Sequence, residues 1–206
     1  MKKFEEIEPI YTKIFQGVNG YGISLLEKEQ REKNESLFKD VLYGEVPFGL
    51  LYAMFVLQPV CNYIKNAKVF YDLGSGIGNA VIGSYLTGEF EKCIGIELLD
   101  SLHKTSLEVK EKLVKIDAKA KNDVQFIHSN ILDADFSNAD IVLFCCPTKD
   151  EKLRNEMEKK FLNLKSGAVI MSLIHKFNNE NDFELLDCKL VKVAWGETPL
   201  FTYLKQ

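Results

Sequence analysis

A single α/β domain organised around a mostly parallel sheet is the fold class this sequence predicts, and three observations predict it. From residue 68 onward, short runs rich in Val, Ile and Leu alternate with longer charged segments, the rhythm of βαβ units. One of those runs leads straight into a cluster of glycines, at 74, 76 and 78, before a helical pattern begins. The 206 residues, 46% hydrophobic and 27% charged with 13 glycines and 5 prolines, suit one compact unit and exclude collagenous, disordered and low-complexity chains.

Taken in order, the elements follow from composition and period. Residues 22–40 are rich in Glu, Lys, Leu and Gln, so the first forty residues predict a helical lead-in. Residues 48–57 are apolar apart from Gly49 and stop at Gln58-Pro59. That is far short of the ~20 residues of a membrane span and predicts a buried helix. Strands are expected at 69–73, 93–98, 124–128, 141–145 and 168–173, because near-continuous β-branched and Leu runs mark strands covered on both faces. Helices are expected at 78–86, 100–115 and 150–161, the second with an apolar stripe of Leu102, Leu107, Val109, Leu113 and Val114. Residues 184–195 and 200–204 read as two extended segments joined by a Gly196-Glu197-Thr198-Pro199 turn, an antiparallel hairpin at the sheet edge. The expectation is therefore seven strands in one sheet, with residues 1–66 forming a helical N-terminal cap and 67–206 the core of one compact whole.

Charge narrows the partners. With 26 Lys+Arg against 30 Asp+Glu and a net charge of -4, no general basic field attracts nucleic acid or an anionic membrane, so direct nucleic-acid binding is expected to be weak or absent. The lysines between 104 and 121 are interleaved with Glu108, Glu111 and Asp117, the pattern of a solvated helix face. Glu5, Glu6 and Glu8 stand where a signal peptide needs an apolar run, which predicts an intracellular protein, cytoplasmic or nuclear. Five cysteines (61, 93, 145, 146 and 188) without a C-x-x-C pair predict reduced thiols and no structural metal. His103, His128 and His175 have neither a paired nucleophile nor ligand spacing, and only His175 follows a strand at the functional edge. Nothing in the composition fixes an oligomeric state.

The chemistry concentrates in Asp72-Leu73-Gly74-Ser75-Gly76-Ile77-Gly78-Asn79. Glycines let a backbone turn sharply and approach a ligand closely. Dinucleotide folds space them G-x-G-x-x-G over a pyrophosphate, whereas here the third glycine comes one residue early and an acid precedes the first by two. Such an acid disfavours phosphate and suits a cationic or hydroxylated ligand. D-x-G-x-G-x-G after a first strand resembles motif I of the class I S-adenosylmethionine (SAM) methyltransferases, whose fold is Rossmann-like. That resemblance nominates Asp72, Gly74, Ser75, Gly76, Gly78 and Asn79 for cofactor binding. Glu97, ending the second strand, is placed to accept bonds from ribose hydroxyls. In the same frame Asn130 and Ile131 flank the adenine, Asn130 replacing the commoner acid with an amide that can still bond an amino group.

Tyr43-Gly44-Glu45-Val46, the Lys-x-Gly turn at 165–167 and the Val-Ala-Trp hairpin at 193–195 extend the likeness. From about residue 40 to 205 the ordered motifs resemble the disruptor-of-telomeric-silencing family of non-SET histone lysine methyltransferases. The resemblance implies a SAM cofactor, S-adenosylhomocysteine as product, and a protein lysine as acceptor. It implies that Tyr43, Glu45 and Val46 cover the methionine end of SAM and wall the acceptor channel, Tyr43 and Glu45 also serving catalysis, and it allows Trp195 near the entrance. Val46 stands where the family has a hydroxyl residue. At the end of the fourth strand the family's Asn-Asn-aromatic is replaced by Cys145-Cys146-Pro147, so Cys145 is the candidate catalytic position, with strand-end carbonyls available to hold an amine. This departure leaves open another protein side chain, a small molecule, or a SAM-binding protein without turnover. Family members that act on nucleosomes use basic segments outside the catalytic fold, and no such run occurs here.

Overall fold

The computed structural model describes residues 1–31, 43–145 and 150–206. Expectations that fall on residues 32–42, the far end of the helical lead-in, and on Cys146-Pro147 lie outside the described residues. Ahead of the sheet come α1 (Phe4–Phe15), α2 (Gly20–Arg31), α3 (Phe48–Val56) and the single turn α4 (Cys61–Ile64). The sheet region then runs β1 (Val69–Leu73), α5 (Asn79–Thr87), β2 (Lys92–Glu97), α6 (Asp100–Val114), the single turn α7 (Ala120–Asp123), β3 (Val124–His128), β4 (Ile141–Cys145), α8 (Glu151–Phe161), β5 (Val169–Leu173), β6 (Phe183–Val193) and β7 (Gly196–Lys205).

These strands form one seven-stranded sheet in the order β3-β2-β1-β4-β5-β7-β6. The first five in that order pair parallel, and β7 runs antiparallel to both β5 and β6. Side chains alternate between two cores, as a period of two requires. Phe70, Ile141, Leu143 and Cys145 face α1, α3, α5 and α6, with Val46, Phe48 and Leu51 in the same core. Tyr71, Val142 and Phe144 face α8 and pack with Met157, Phe161 and Phe177. Helices on both faces explain why the central strands lack polar alternation.

The apolar segment after Pro47 is a helix buried on one face, with Phe48, Leu51 and Phe55 inward while Leu57, just past its end, is 54% exposed. It lies directly on α5: a Cβ at Gly83 would come 2.9 Å from side-chain atoms of both Phe48 and Leu51. An alanine there would lose the close approach despite its better helix propensity. In α6 the buried positions are Leu102, Ser106, Val109 and Leu113, and Leu107 is 40% exposed. The expected stripe was thus right in kind but wrong at Leu107, because the helical period puts Ser106 inward instead, its hydroxyl donating to the His103 carbonyl at 2.6 Å.

The closing hairpin also differs from expectation. Val193 pairs directly with Gly196, so the turn is Ala194-Trp195, and 196–199 belong to β7. Composition suggested a turn at Gly-Glu-Thr-Pro, but Thr198 is buried and Pro199 lies one residue beyond the last β5 pair, Leu173 with Leu200. Proline is tolerated where a ladder ends. Among the described residues no helix is long and apolar enough to cross a membrane.

Candidate functional site

At the carboxyl edge of the sheet, between β1 and β4, the strand order reverses, and a crevice opens where the flanking connections diverge. Residues far apart in sequence meet there. Tyr43, Gly44, Glu45 and Val46 come from the loop before α3, Asp72, Gly74, Ser75 and Gly76 from the end of β1 and the turn after it, Asn79 and Ala80 from the first turn of α5, and Leu143 and Cys145 from β4.

The three glycines of the turn are left-handed, with φ of 86° at Gly74, 54° at Gly76 and 90° at Gly78, where other residues are strained. Its glycines have separate tasks. A Cβ at Gly76 would lie 2.8 Å from Cε2 of Tyr43, so the tyrosine ring rests on the bare backbone. A Cβ at Gly78 would collide with the Phe126 ring, so this glycine serves packing against β3 and does not line the crevice. At Gly74 the nearest neighbour of a Cβ would be the Cys145 carbonyl oxygen at 3.8 Å, which puts a strand-end acceptor on the crevice wall.

Two buried carboxylates lie under this turn. Glu97 accepts from the Gly76 amide through Oε2 and from the Leu99 amide through Oε1, both at 2.7 Å. Burial holds its carboxyl above the usual range, and those amides oppose the shift. Asp72 is pushed up to about 8, first by burial and then by the charge of Glu97. Among the described residues no Lys or Arg pairs with either acid. The Ser75 hydroxyl, on a residue 5% exposed and packed against Gly95 of β2, has no hydrogen-bond partner among the described residues. Buried acids without a cation and an unsatisfied hydroxyl beside a bare glycine backbone fit a cationic, polyhydroxylated ligand. A SAM molecule has that chemistry in its ammonium, sulfonium and ribose.

The opposite wall is aromatic. The Tyr43 hydroxyl donates to Glu45 Oε1 at 2.5 Å, and burial, followed by the charge of Glu45, pushes the phenol far above its ordinary value. Burial and then Glu45 do the same to Tyr11 of α1, whose ring stacks on Phe48 with centroids 4.3 Å apart. The Trp195 ring lies on the backbone of Gly44, where a Cβ would overlap it. Trp195 is 39% exposed and flanks the loop from the hairpin turn. With Tyr43 on the glycine turn, the crevice encloses about 20 Å3.

Of the residues nominated from sequence, Tyr43, Glu45, Val46, Asp72, Gly74, Ser75, Gly76, Asn79 and Cys145 share this crevice, and Glu97 reaches it through the Gly76 amide. Asn130 and Ile131 do not line it. They follow β3 on the far side of β2, where Asn130 Oδ1 accepts from the Leu132 amide at 3.0 Å and Ile131 packs against the α8-side core. His175 is buried beside Phe144 in that same core, away from the crevice lining. Sequence reading expected a helical N-terminal cap but nominated no residue of α1 or α2: Tyr11 stands near Glu45, and a Cβ at Gly20 would collide with the Tyr43 hydroxyl. No spacing signal marks either residue, because the contact is made only by tertiary folding.

The family described as "Histone methylation protein DOT1" matches residues 21–190. A histone-lysine N-methyltransferase, H3 lysine-79 specific, from Kluyveromyces lactis is 28% identical over 162 residues, 74% of this chain and 28% of that protein. The Yarrowia lipolytica protein of the same description is 30% identical over 150 residues, 66% of this chain and 28% of its own length. The chain thus spans less than a third of these curated relatives. Among solved structures, a putative RNA methyltransferase from Pyrococcus horikoshii superposes with a TM-score of 0.66 at 16% identity, covering 100% of this chain and 98% of that one. An RNA methyltransferase from Salinibacter ruber in complex with S-adenosyl-L-homocysteine gives 0.55 at 20% identity, covering 79% and 94%. At such identities these two speak for the fold. The match over most of the chain, joined to the glycine turn and its two acids, places the protein in the DOT1 family of class I methyltransferases, with S-adenosyl-L-methionine as cofactor.

Proposed function

We propose that the protein transfers a methyl group from SAM to a lysine of a protein acceptor. The supporting observation is the composition of the crevice, with buried acids lacking a cation on one wall and an aromatic wall opposite whose one charged residue, Glu45, is bonded to the Tyr43 hydroxyl. In this reading Gly74, Ser75, Gly76 and Asn79 cradle the cofactor, Asp72 faces its cationic end and Glu97 its ribose. Asn130 and Ile131, which lie past β3 outside the crevice lining, flank the adenine only if the cofactor extends beyond the crevice over the end of β2, as the family resemblance implies, and Gly78 keeps the turn tight against β3. The cofactor supplies an already activated methyl group. The chain's own task is to align the acceptor and exclude water.

Tyr43, Glu45 and Val46 form the roof over the methionine end. Glu45 anchors the Tyr43 hydroxyl, and Tyr43, whose phenol burial and then Glu45 push above its ordinary value, acts as a wall rather than as a base. A lysine amine, with an ordinary pKa of about 10.4, loses its proton most readily when desolvated, which a tight aromatic channel favours. The Cys145 carbonyl, facing Gly74, is an acceptor for the incoming amine.

Cys145 itself supports a second reading. A thiol is a weak donor and cannot copy the amide that the family resemblance implies there, so another protein side chain or a small amine competes as acceptor. A protein that binds SAM without turnover is the third reading. Incubating the protein and cell extract with methyl-labelled SAM, then mapping the label by mass spectrometry, distinguishes all three. Labelled lysine is expected. Label confined to small molecules or other side chains would replace the lysine assignment, and no acceptor-dependent S-adenosylhomocysteine would leave binding alone. The net charge of -4 further implies weak nucleosome binding by this chain, read by an electrophoretic shift at near-physiological salt.

A further inference from the structure

The helix α6 begins without a cap of its own. Leu99 at its N-cap makes no side-chain bond, whereas Asp150 at the N-cap of α8 accepts from the amides of Lys152 at 2.9 Å and Leu153 at 3.2 Å. The first amides of α6 are satisfied from another element. Glu27 of α2, only 5% exposed, accepts from the Asp100 amide through Oε1 at 3.0 Å and from the Ser101 amide through Oε2 at 2.8 Å. A carboxylate there meets the unpaired donors and the positive end of the helix together.

One residue earlier, the Leu99 amide donates to Glu97 Oε1, and Glu97 Oε2 accepts from Gly76. A continuous path of backbone and hydrogen bonds therefore runs from α2 through the start of α6 to Glu97 and the glycine turn. The other end of α2 touches the opposite wall, since a Cβ at Gly20 would collide with the Tyr43 hydroxyl and come 2.7 Å from Glu45 Oε1. At 1.5 Å per residue, the segment between Gly20 and Glu27 spans about 10 Å, so one rigid helix reaches both walls of the crevice.

We propose that Glu27 is a positioning residue for the cofactor, holding the Leu99 amide against Glu97 by capping α6 from α2 and so fixing the carboxylate that receives the ribose. The inference rests on the assignment of Glu97 to the ribose. Glu97 keeps further lone pairs on both oxygens for this purpose, and its two backbone bonds fix its orientation. Losing Glu27 frees the first turn of α6 and with it the Leu99 donor.

Calorimetric titration of SAM into the full chain tests this with Glu27→Ala, Glu27→Gln, Glu97→Ala and the double variant, each checked for folding by thermal melting. Glu27→Ala should weaken SAM about tenfold, the size expected for one charge-assisted bond, and Glu27→Gln, which keeps an acceptor oxygen, should recover part of the loss. In the Glu97→Ala background, Glu27→Ala should cost nothing more, because its effect passes through Glu97. Unchanged affinity in folded Glu27→Ala overturns the proposal, as do losses that simply add in the double variant, the signature of a merely structural helix cap. If Glu27→Ala does not fold, the same cycle with Glu27→Gln decides by the same criterion. Wild-type binding that Glu97→Ala leaves intact defeats the ribose assignment and the proposal together, while failure of the wild type to bind SAM defeats the cofactor itself.

Discussion

The two walls of the crevice are built by opposite strategies. The glycine-turn wall uses residues at the ends of neighbouring strands, β1 and β2, whose register sets Asp72 beside Gly95 and Leu73 beside Ile96, so one sheet edge positions both acids. The aromatic wall is assembled from the 43–46 loop, α1, the start of α2 and the β6–β7 turn, with Tyr11, Gly20, Tyr43 and Trp195 brought together from across the chain. A wall fixed by sheet register tolerates little variation. In the proposed function, a wall fixed by the packing of separate segments can change its acceptor without disturbing the cofactor.

The sharpest way to break the first wall is Gly76→Arg. Its φ of 54° and the Tyr43 ring leave no place for a side chain, so SAM binding should fall below detection by calorimetry while far-ultraviolet circular dichroism stays unchanged. Undiminished affinity in a folded variant would remove the glycine turn from the site.

A pH titration probes the same wall with a graded effect. Asp72, held near 8, keeps its proton in the folded chain long after it is lost from the unfolded one at about 4, so the folded form binds more protons between those values. Stability should therefore decline as pH rises across that window and level off above it, and Asp72→Asn should flatten the decline. A cationic ligand prefers the ionised carboxylate, so SAM affinity should rise with pH by at most about tenfold per unit up to the pKa of Asp72. An Asp72→Asn profile as steep as the wild type would assign the effect elsewhere.

On the second wall, Glu45→Ala releases the Tyr43 hydroxyl and should slow single turnover about tenfold even at saturating SAM, the scale of a charge-assisted bond. Wild-type rates would reduce the 43–46 segment to a structural turn. The smallest effect is expected for Cys145→Ser. If the strand-end carbonyl holds the amine, the thiol is dispensable and turnover should change by less than about threefold, under 1 kcal/mol. A larger loss would make the thiol itself part of the acceptor site.

The same division separates what sequence discloses from what it conceals. The strands could be read because apolar runs between charged helices leave few alternatives, and the glycine turn because its spacing is chemical. Positions that depend on exact phase were misread: Leu107 for Ser106 on α6, and a Gly-Pro turn where Thr198 is in fact buried in β7. Glu27 could not be read at all, since a glutamate in a polar helix gives no sign that it caps a helix 73 positions away. The turns α4 and α7, four residues each, are too short for periodicity to register.

The placement of Trp195 on Gly44 has a practical consequence. It is the chain's single tryptophan, so essentially all indole emission comes from one ring lying on the segment that roofs the crevice. Displacement of that segment changes the polarity around the indole, and the emission maximum should shift without any label. The protein therefore carries its own optical probe of the 43–46 segment, and stopped-flow mixing with SAM should show an emission change if SAM binding displaces that segment.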